Sequence, residues 1–159
     1  MKRIELTQDK ITLVDDGDFR GASKFKWYFL NGYARRSVPG QKGQQEAIYL
    51  HRFILGVERG EDIDHINGDG LDNRRVNLRI CTKAQNQHNQ QSVRGASKYK
   101  GVSFEALRGG KWRAAIRVNK RLLNLGSFDT EQMAAKAYDV AAILYFGEFA
   151  KTNKMLGLL

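Results

Sequence analysis

A chain of 159 residues has room for one ordinary domain or two small ones, and 42% hydrophobic with 10% aromatic content excludes a disordered tail. A formal charge of +10 and a pI near 9.9 point to a polyanionic partner, with nucleic acid ahead of an anionic membrane surface. Cys81 is the only cysteine, which excludes an intramolecular disulfide and a zinc site built on several thiolates.

MKRIELTQDK lacks the apolar core of a signal peptide, and no apolar run reaches membrane-spanning length. A soluble, cytoplasmic protein with no membrane partner is expected. Residues 1–50 read as strand-rich. IELT, KITLVDD, KWYFLNGYARRS and EAIYLHRFIL alternate or cluster β-branched and aromatic residues between Gly, Asp and Asn breaks. Pro39, the only proline, lies in SVPGQKGQQ, a loop or hairpin end. Around Tyr49–Leu55 the pattern suits a strand and a short helix equally. DIDHI gives a short strand ahead of the turn signal NGDG. VNLRICT alternates Val76, Leu78 and Ile80 on one face and suits a second strand, after which Thr82 stands at the N-cap of a polar helix over KAQNQHNQQ.

Residues 90–98, QQSVRGASK, are small and polar and make the best linker. Beyond it YKGVSF, KWRAAIRV and RLLNLGSF read as three strands, the first two joined at Gly109-Gly110. Asp129-Thr130-Glu131 opens an Ala-rich helix over TEQMAAKAYDVAAILYF, and Gly147 stops it. Charge follows the same division. Residues 1–50 carry 9 basic and 6 acidic side chains, residues 51–92 carry 6 of each, and Arg94 to Arg121 holds 9 basic residues against Glu105 alone. The electrostatic footprint therefore falls at the start of the C-terminal third.

The segment from Asp62 to Asn89, DIDHINGDGLDNRRVNLRICTKAQNQHN, is the densest in chemistry. Phosphodiester hydrolysis needs an activated water, charge stabilisation on the phosphate and help for the leaving oxygen. One Mg2+ or Mn2+ supplies the last two, and a neutral histidine serves as general base. Hard cations prefer oxygen, so Asp64 and the carboxamide of Asn86 are candidate metal ligands. His65 is the candidate base, and Asn77 either fixes the loop or orients His65. An EF-hand fails, because Gly70 in sixth place puts Val76 where a bidentate Glu is required. A zinc finger fails because Cys81, His65 and His88 do not make the needed pairs.

From Leu50-His51-Arg52 to Asn89 the segment resembles the HNH endonuclease family, also called His-Me finger or ββα-metal nucleases. The DH, NR-x-x-NLR and QN elements fall in that family's order and spacing. The resemblance implies His65 as general base, Asn77 as the middle asparagine, and Asp64 with Asn86 as ligands of one divalent ion. Asn86 stands where many relatives carry a histidine, as in the phage and intron homing branch, and His88 is the alternative ligand. Arg52, Arg74, Arg75 and Arg79 are candidate DNA contacts, the last three to phosphate, and His51 with Arg52 supports the site from outside.

In KWRAAIRVNKR one parity holds Trp112, Ala114, Ile116 and Val118, which can pack under the helix. The other holds Arg113, Ala115, Arg117 and Asn119, facing outward as a surface for the DNA major groove. Residues 98–153 resemble the plant ethylene-response-factor (AP2/ERF) DNA-binding domain through YKGV, WRAAI, LGSFDTEQMAAKAYDVAA and FGEFAKTN. That resemblance implies a three-stranded sheet backed by one helix. It carries Lys100, Gly101, Arg117 and Asn124 over to DNA-contacting positions, with Lys98, Arg108, Arg113, Asn119 and Arg121 beside them. Ser103, Glu105, Ala115, Leu122 and Asn124 depart from the plant pattern, so base preference does not transfer.

The sequence therefore predicts an α+β protein. A β-rich N-terminal scaffold leads into a ββα-metal HNH motif (residues 1–92, motif 50–89), followed by a three-stranded antiparallel sheet on one helix (93–159). The function expected is that of a metal-dependent, site-preferring DNA endonuclease or nickase of the homing type. It would be encoded by a phage or mobile element and would work on double-stranded DNA as a monomer, with a dimer as the other state. The alternative is a non-catalytic DNA-binding regulator using the HNH segment as scaffold.

Overall fold

The computed structural model describes residues 1–40, 44–57, 60–89, 97–106 and 109–159. The chain is α+β, and it divides into two units, Met1–Asn86 and Gln87–Leu159. No helix among the described residues is long and apolar enough to cross a membrane.

In the first unit, β1 (Lys2–Glu5) and β2 (Ile11–Val14) form an antiparallel hairpin with Lys2 opposite Val14. The strand expected over KITLVDD ends at Val14, because Asp15 turns the chain into α1 (Asp16–Ala22). The sequence reading gave no helix here. Asp16 and Asp18 in its first turn suit the positive end of a helix dipole, a local signal outweighed in the pattern by Gly17 and Gly21. KWYFLNGYARRS is not one strand but a hairpin of β3 (Tyr28–Leu30) and β4 (Tyr33–Pro39). Asn31-Gly32, both at positive φ (48° and 86°), make the turn that right-handed strand twist favours. β5 (Gln45–Tyr49) completes a three-stranded sheet in the order β3-β4-β5.

At Tyr49–Leu55 the open choice resolves into strand up to Tyr49 and helix α2 (Leu50–Leu55), closed by Gly56 in the left-handed region at φ 66°. Strand β6 (Asp62–His65) pairs antiparallel with β7 (Leu78–Cys81), and α3 (Lys83–His88) follows. Thr82 and Gln85 cap α3 reciprocally. The Gln85 N–H donates to Thr82 Oγ1 at 3.3 Å, and the Thr82 N–H donates to Gln85 Oε1 at 2.8 Å. Val76 lies in a 3-10 turn at Arg75–Asn77 ahead of β7 and is 77% exposed, and Ile80 is also exposed. Leu78 alone of the expected apolar trio joins the core with Val14, Trp27, Leu50, Ile54 and Ile63.

In the second unit, β8 (Val102–Glu105), β9 (Lys111–Val118) and β10 (Arg121–Phe128) form an antiparallel sheet in the order β10-β9-β8. α4 (Glu131–Phe146) follows, its first turn capped by Thr130 Oγ1 accepting from the Met133 N–H at 3.2 Å. Ala134, Ala135 and Ala142 are fully buried, as is Ala114 on β9. Such small side chains let helix and sheet approach closely. Gly101, at φ +76°, sits so near Tyr138 that a Cβ there would lie 1.9 Å from the ring. Asn153 ties the chain's last segment to this junction, donating from its backbone and side chain to Asp139 Oδ1 and accepting the Lys100 N–H.

Candidate active site

His65 ends β6, opposite Leu78, and is 6% exposed. Its Nε2 lies 3.4 Å from Asn73 Oδ1. The Asn73 amide nitrogen donates elsewhere, to Thr12 Oγ1 at 2.8 Å and to Gly70 O at 3.3 Å, and Thr12 Oγ1 donates to Leu71 O. With its nitrogen so committed, Asn73 presents an acceptor to the ring. Nε2 then carries the proton, and Nδ1 is the nitrogen with the lone pair. Burial holds the imidazole below its ordinary pKa, against the hydrogen bond from Asn73 and the nearby carboxylates of Asp64, Asp69 and Asp72, which raise it. It is therefore neutral at neutral pH, as a general base must be.

Aromatic rings wall the imidazole. His51 meets it edge to face with centroids 5.2 Å apart, Tyr33 lies 5.8 Å away, and Tyr49 stacks on His51 at 5.4 Å. His51 Nδ1 is buried with no hydrogen-bond partner among the described residues. Burial first, then the nearness of His65 and Arg52, pushes its pKa down to about 3. Gly70 packs against the same wall: a Cβ there would come within 2.5 Å of Gly32 O and 2.7 Å of the Tyr33 ring.

Asn77, 6% exposed, holds the loop after His65 in shape. Its Oδ1 accepts the Asn67 N–H at 3.0 Å, and its Nδ2 donates to Asn67 Oδ1 at 3.0 Å and to Asp72 O at 2.8 Å. Of the two roles open to it in the sequence, these bonds are those of loop fixation, and contact with His65 falls to Asn73. The candidate metal ligand Asp64 is 4% exposed and faces Arg79 across the β6–β7 ladder. Arg79 Nε and Nη2 donate to Asp64 Oδ2 at 2.8 and 2.6 Å. Asn86, in α3, is half-buried and donates its backbone N–H to Thr82 O; its side chain joins none of the hydrogen bonds around His65 among the described residues.

The other arginines of the motif face carboxylates and carbonyls of their own unit. Arg74 makes a two-pronged pair with Asp72, both bonds 2.7 Å, and holds that carboxyl below its ordinary range. Arg75 binds both Asp18 oxygens at 2.8 Å and Ile54 O at 2.6 Å, tying α1 and α2 to the loop. Arg52 donates to Glu61 O at 2.5 Å.

A neutral, buried and oriented imidazole beside a carboxylate at a strand end is equipped to take a proton from water. Residues 49–88 match the family described as HNH endonuclease. An uncharacterized HNH endonuclease of Acanthamoeba polyphaga mimivirus is 32% identical over 139 residues, covering 84% of this chain and 69% of the viral protein. The chain belongs to the HNH endonuclease family.

Other relatives of this HNH endonuclease match it over a shorter stretch. APETALA2-like protein 2 of Oryza sativa subsp. indica is 45% identical over 63 residues, and the AP2-like ethylene-responsive transcription factor PLT2 of Arabidopsis thaliana is 50% identical over 62. Each alignment covers 38% of this chain, but only 14% and 11% of the respective plant protein.

The basic residues predicted to meet DNA in the second unit occupy varied places. Arg117 and Arg121 are exposed on β9 and β10, with Arg117 donating to Lys120 O. Asn119, with Lys120, forms the positive-φ turn between those strands, and Asn124 Oδ1 accepts the Gly126 N–H at the β10 bulge. Arg113 pairs with Glu105 at 3.4 Å, and Lys98 lies over the Tyr99 ring. Lys100 turns its ammonium to His88 O at 2.9 Å, and burial lowers its pKa to about 8. The His88 ring stacks on Phe146 at 3.7 Å. Arg108 lies outside the described residues.

Sequence reasoning gave no role to Asn73, although that residue opens the NR-x-x-NLR element, and did not single out Thr12, Tyr33 or Tyr49. For Asn73 a signal existed in its place two residues before Arg75 in the DNRRVN run, but its partner Thr12 lies 61 residues away. His51 was read as outer support and instead touches His65 ring to ring.

Proposed function

We propose that this HNH endonuclease hydrolyses phosphodiester bonds in double-stranded DNA with the help of one divalent metal ion, acting as a site-preferring, homing-type endonuclease or nickase. The observation that carries the reading is the His65 imidazole: buried, neutral, and oriented by Asn73 beside the Asp64 carboxylate. His65 Nδ1 takes a proton from the attacking water. The new P–O bond forms as the bond to the 3′-oxygen breaks, leaving 5′-phosphate and 3′-hydroxyl ends, with the 3′-oxygen protonated from solvent. The imidazolium so formed is stabilised by the Asp64, Asp69 and Asp72 carboxylates, the groups that already favour its protonated form. Asn77 keeps the loop carrying these groups in place.

The donor set fits a hard cation. No cluster of three His, Cys, Asp or Glu occurs among the described residues, so the chain offers a few oxygens, not a cage. Mg2+ is bound in that fashion, through one or two protein oxygens with water and substrate phosphate completing the shell. Asp64 and Asn86 would hold it, with His88 as the alternative to Asn86, and Arg79 would keep the Asp64 carboxylate aimed. Bound there, the ion supplies charge stabilisation at the phosphate and the leaving oxygen.

The second unit fits a DNA-docking module of the AP2/ERF type. Its exposed arginines Arg117 and Arg121 on a sheet backed by a small-residue helix support that role. The test is to incubate the full chain with supercoiled plasmid carrying a candidate locus, with Mg2+, Mn2+ or EDTA. Nicked or linear product that requires metal is expected. Tight binding without product at any metal would leave a non-catalytic DNA-binding protein in its place.

A further inference from the structure

Four arginines of the first unit contrast in what faces them. Arg74, Arg75 and Arg79 spend their guanidinium forks on Asp72, Asp18 and Asp64. Arg35 has no carboxylate partner among the described residues. It stands between Tyr28 and Tyr49 across the sheet, lies over the Tyr28 ring at 5.3 Å, and keeps a buried Nε without a hydrogen-bond partner among the described residues. A half-buried guanidinium with no carboxylate beside it keeps its whole charge available to an incoming anion.

The β3–β5 sheet extends this site towards the imidazole. Its register sets Tyr28, Arg35 and Tyr49 side by side, with Leu30 beside Tyr33. Ala34, on the opposite face of β4, is buried in the core, so the Arg35 face points away from it. Tyr28 also hydrogen-bonds Ser37 on the same face. At the other end Tyr49 stacks on His51, and Tyr33 reaches both His51 and His65. A strip of hydroxyls, rings and one uncompensated cation thus runs to the general base.

Resting on the nuclease reading above, we infer that this face is a second DNA contact surface, which seats the phosphate backbone beside the bond to be cut. Arg35 contacts phosphate, and the Tyr28, Tyr33 and Tyr49 rings wall the strand. Charge complementarity and continuity with His65 select duplex DNA as the occupant.

The test measures anisotropy of a fluorescein-labelled duplex of arbitrary sequence with the full chain in EDTA, across a salt series. Arg35→Gln is expected to weaken binding several-fold at low salt and to flatten the log–log salt slope by about 1, the amount expected for one phosphate contact. Arg35→Lys should restore most of the slope. An unchanged slope in folded Arg35→Gln, or equal losses in both variants, overturns the proposal. Should Arg35→Gln not fold, the unaltered chain can be crosslinked to a duplex carrying photoreactive phosphorothioates. Crosslinks on the peptides holding Tyr28, Arg35 or Tyr49 are expected, and none there overturns it. Plasmid nicking with an unchanged Arg35→Gln slope sinks this surface alone, whereas a flattened slope without nicking sinks the nuclease reading instead.

Discussion

Both units bury polar groups, but they set them to different ends. In the first, polar and charged groups are folded inward: Asp64, His65, Asp72, Asn73 and Asn77 are all buried, and three arginines are matched to carboxylates. In the second, buried Asp139 and Asn153 bond one another and pin the last segment to an alanine-rich helix–sheet contact, while Arg117 and Arg121 stand exposed on the sheet. Buried charge is expensive unless paired and hydrogen-bonded, so the first unit's polar interior must be held in one arrangement. Exposed charge costs little to keep and is open to a polyanion. The difference separates a region suited to chemistry from one suited to docking.

Mutation should separate them by the kind of effect it produces. The largest change is expected at His65→Ala, where loss of a general base lowers cleavage by about 10²–10⁴-fold. DNA affinity should stay close to that of the unaltered chain, so a plasmid-nicking rate and an anisotropy titration measured together check the point. Arg79→Ala comes next. It leaves the 4%-exposed Asp64 carboxylate without its strongest partner and should destabilise the first unit by about 3–5 kcal/mol, read from denaturant melting. Adding Asp64→Asn should recover part of that loss. Arg117→Gln on the second unit should do the reverse: an unchanged denaturation midpoint, but a DNA-binding salt slope smaller by about 1. Similar stability losses from Arg79→Ala and Arg117→Gln would erase the contrast.

A pH dependence in the first unit comes from its buried histidines. His51 titrates near 6.5 in an unfolded chain but at about 3 when folded, so between those values the unfolded chain binds the extra proton. Its contribution to stability is complete above about pH 6.5 and drains away as the pH falls towards about 3. His65 shifts in the same direction. The groups facing His51 are Tyr33, Tyr49, His65 and Arg52, none of them a carboxylate that would reverse the sign. Thermal midpoints taken from about pH 7 to about pH 4 should fall, and His51→Gln should make the fall shallower.

What the sequence disclosed follows from the range over which each signal acts. Thr82 with Gln85, and Thr130 ahead of Met133, are contacts within one helical turn, and both helix starts were legible from spacing alone. The three strands of the second unit were legible because alternation along β9 separates core from surface. α1 was missed because its seven residues carry two glycines and only Ala22 is fully buried. Arg74 and Arg75 looked alike in the sequence as phosphate contacts. Their partners, Asp72 two residues away and Asp18 57 residues away, exist for such a purpose only once the chain has folded. The same holds for Asn73, whose amide is turned towards His65 by a threonine from the first hairpin.

That hairpin bears no group that meets the substrate in the proposed reaction, yet two successive residues of β2 grip the loop through four hydrogen bonds. Thr12 bonds Leu71 O and the Asn73 side chain, the Leu13 N–H donates to Leu71 O, and the Asn73 N–H donates to Leu13 O. Reactivity is thereby made conditional on assembly. A molecule that had lost or frayed β2 through Leu13 would still carry its histidine, its carboxylate and its basic sheet, but Asn73 would no longer be held against the ring. Such a damaged copy could ride on DNA without breaking it, so partial folding and proteolysis would tend to yield inert binders in place of undisciplined cutters.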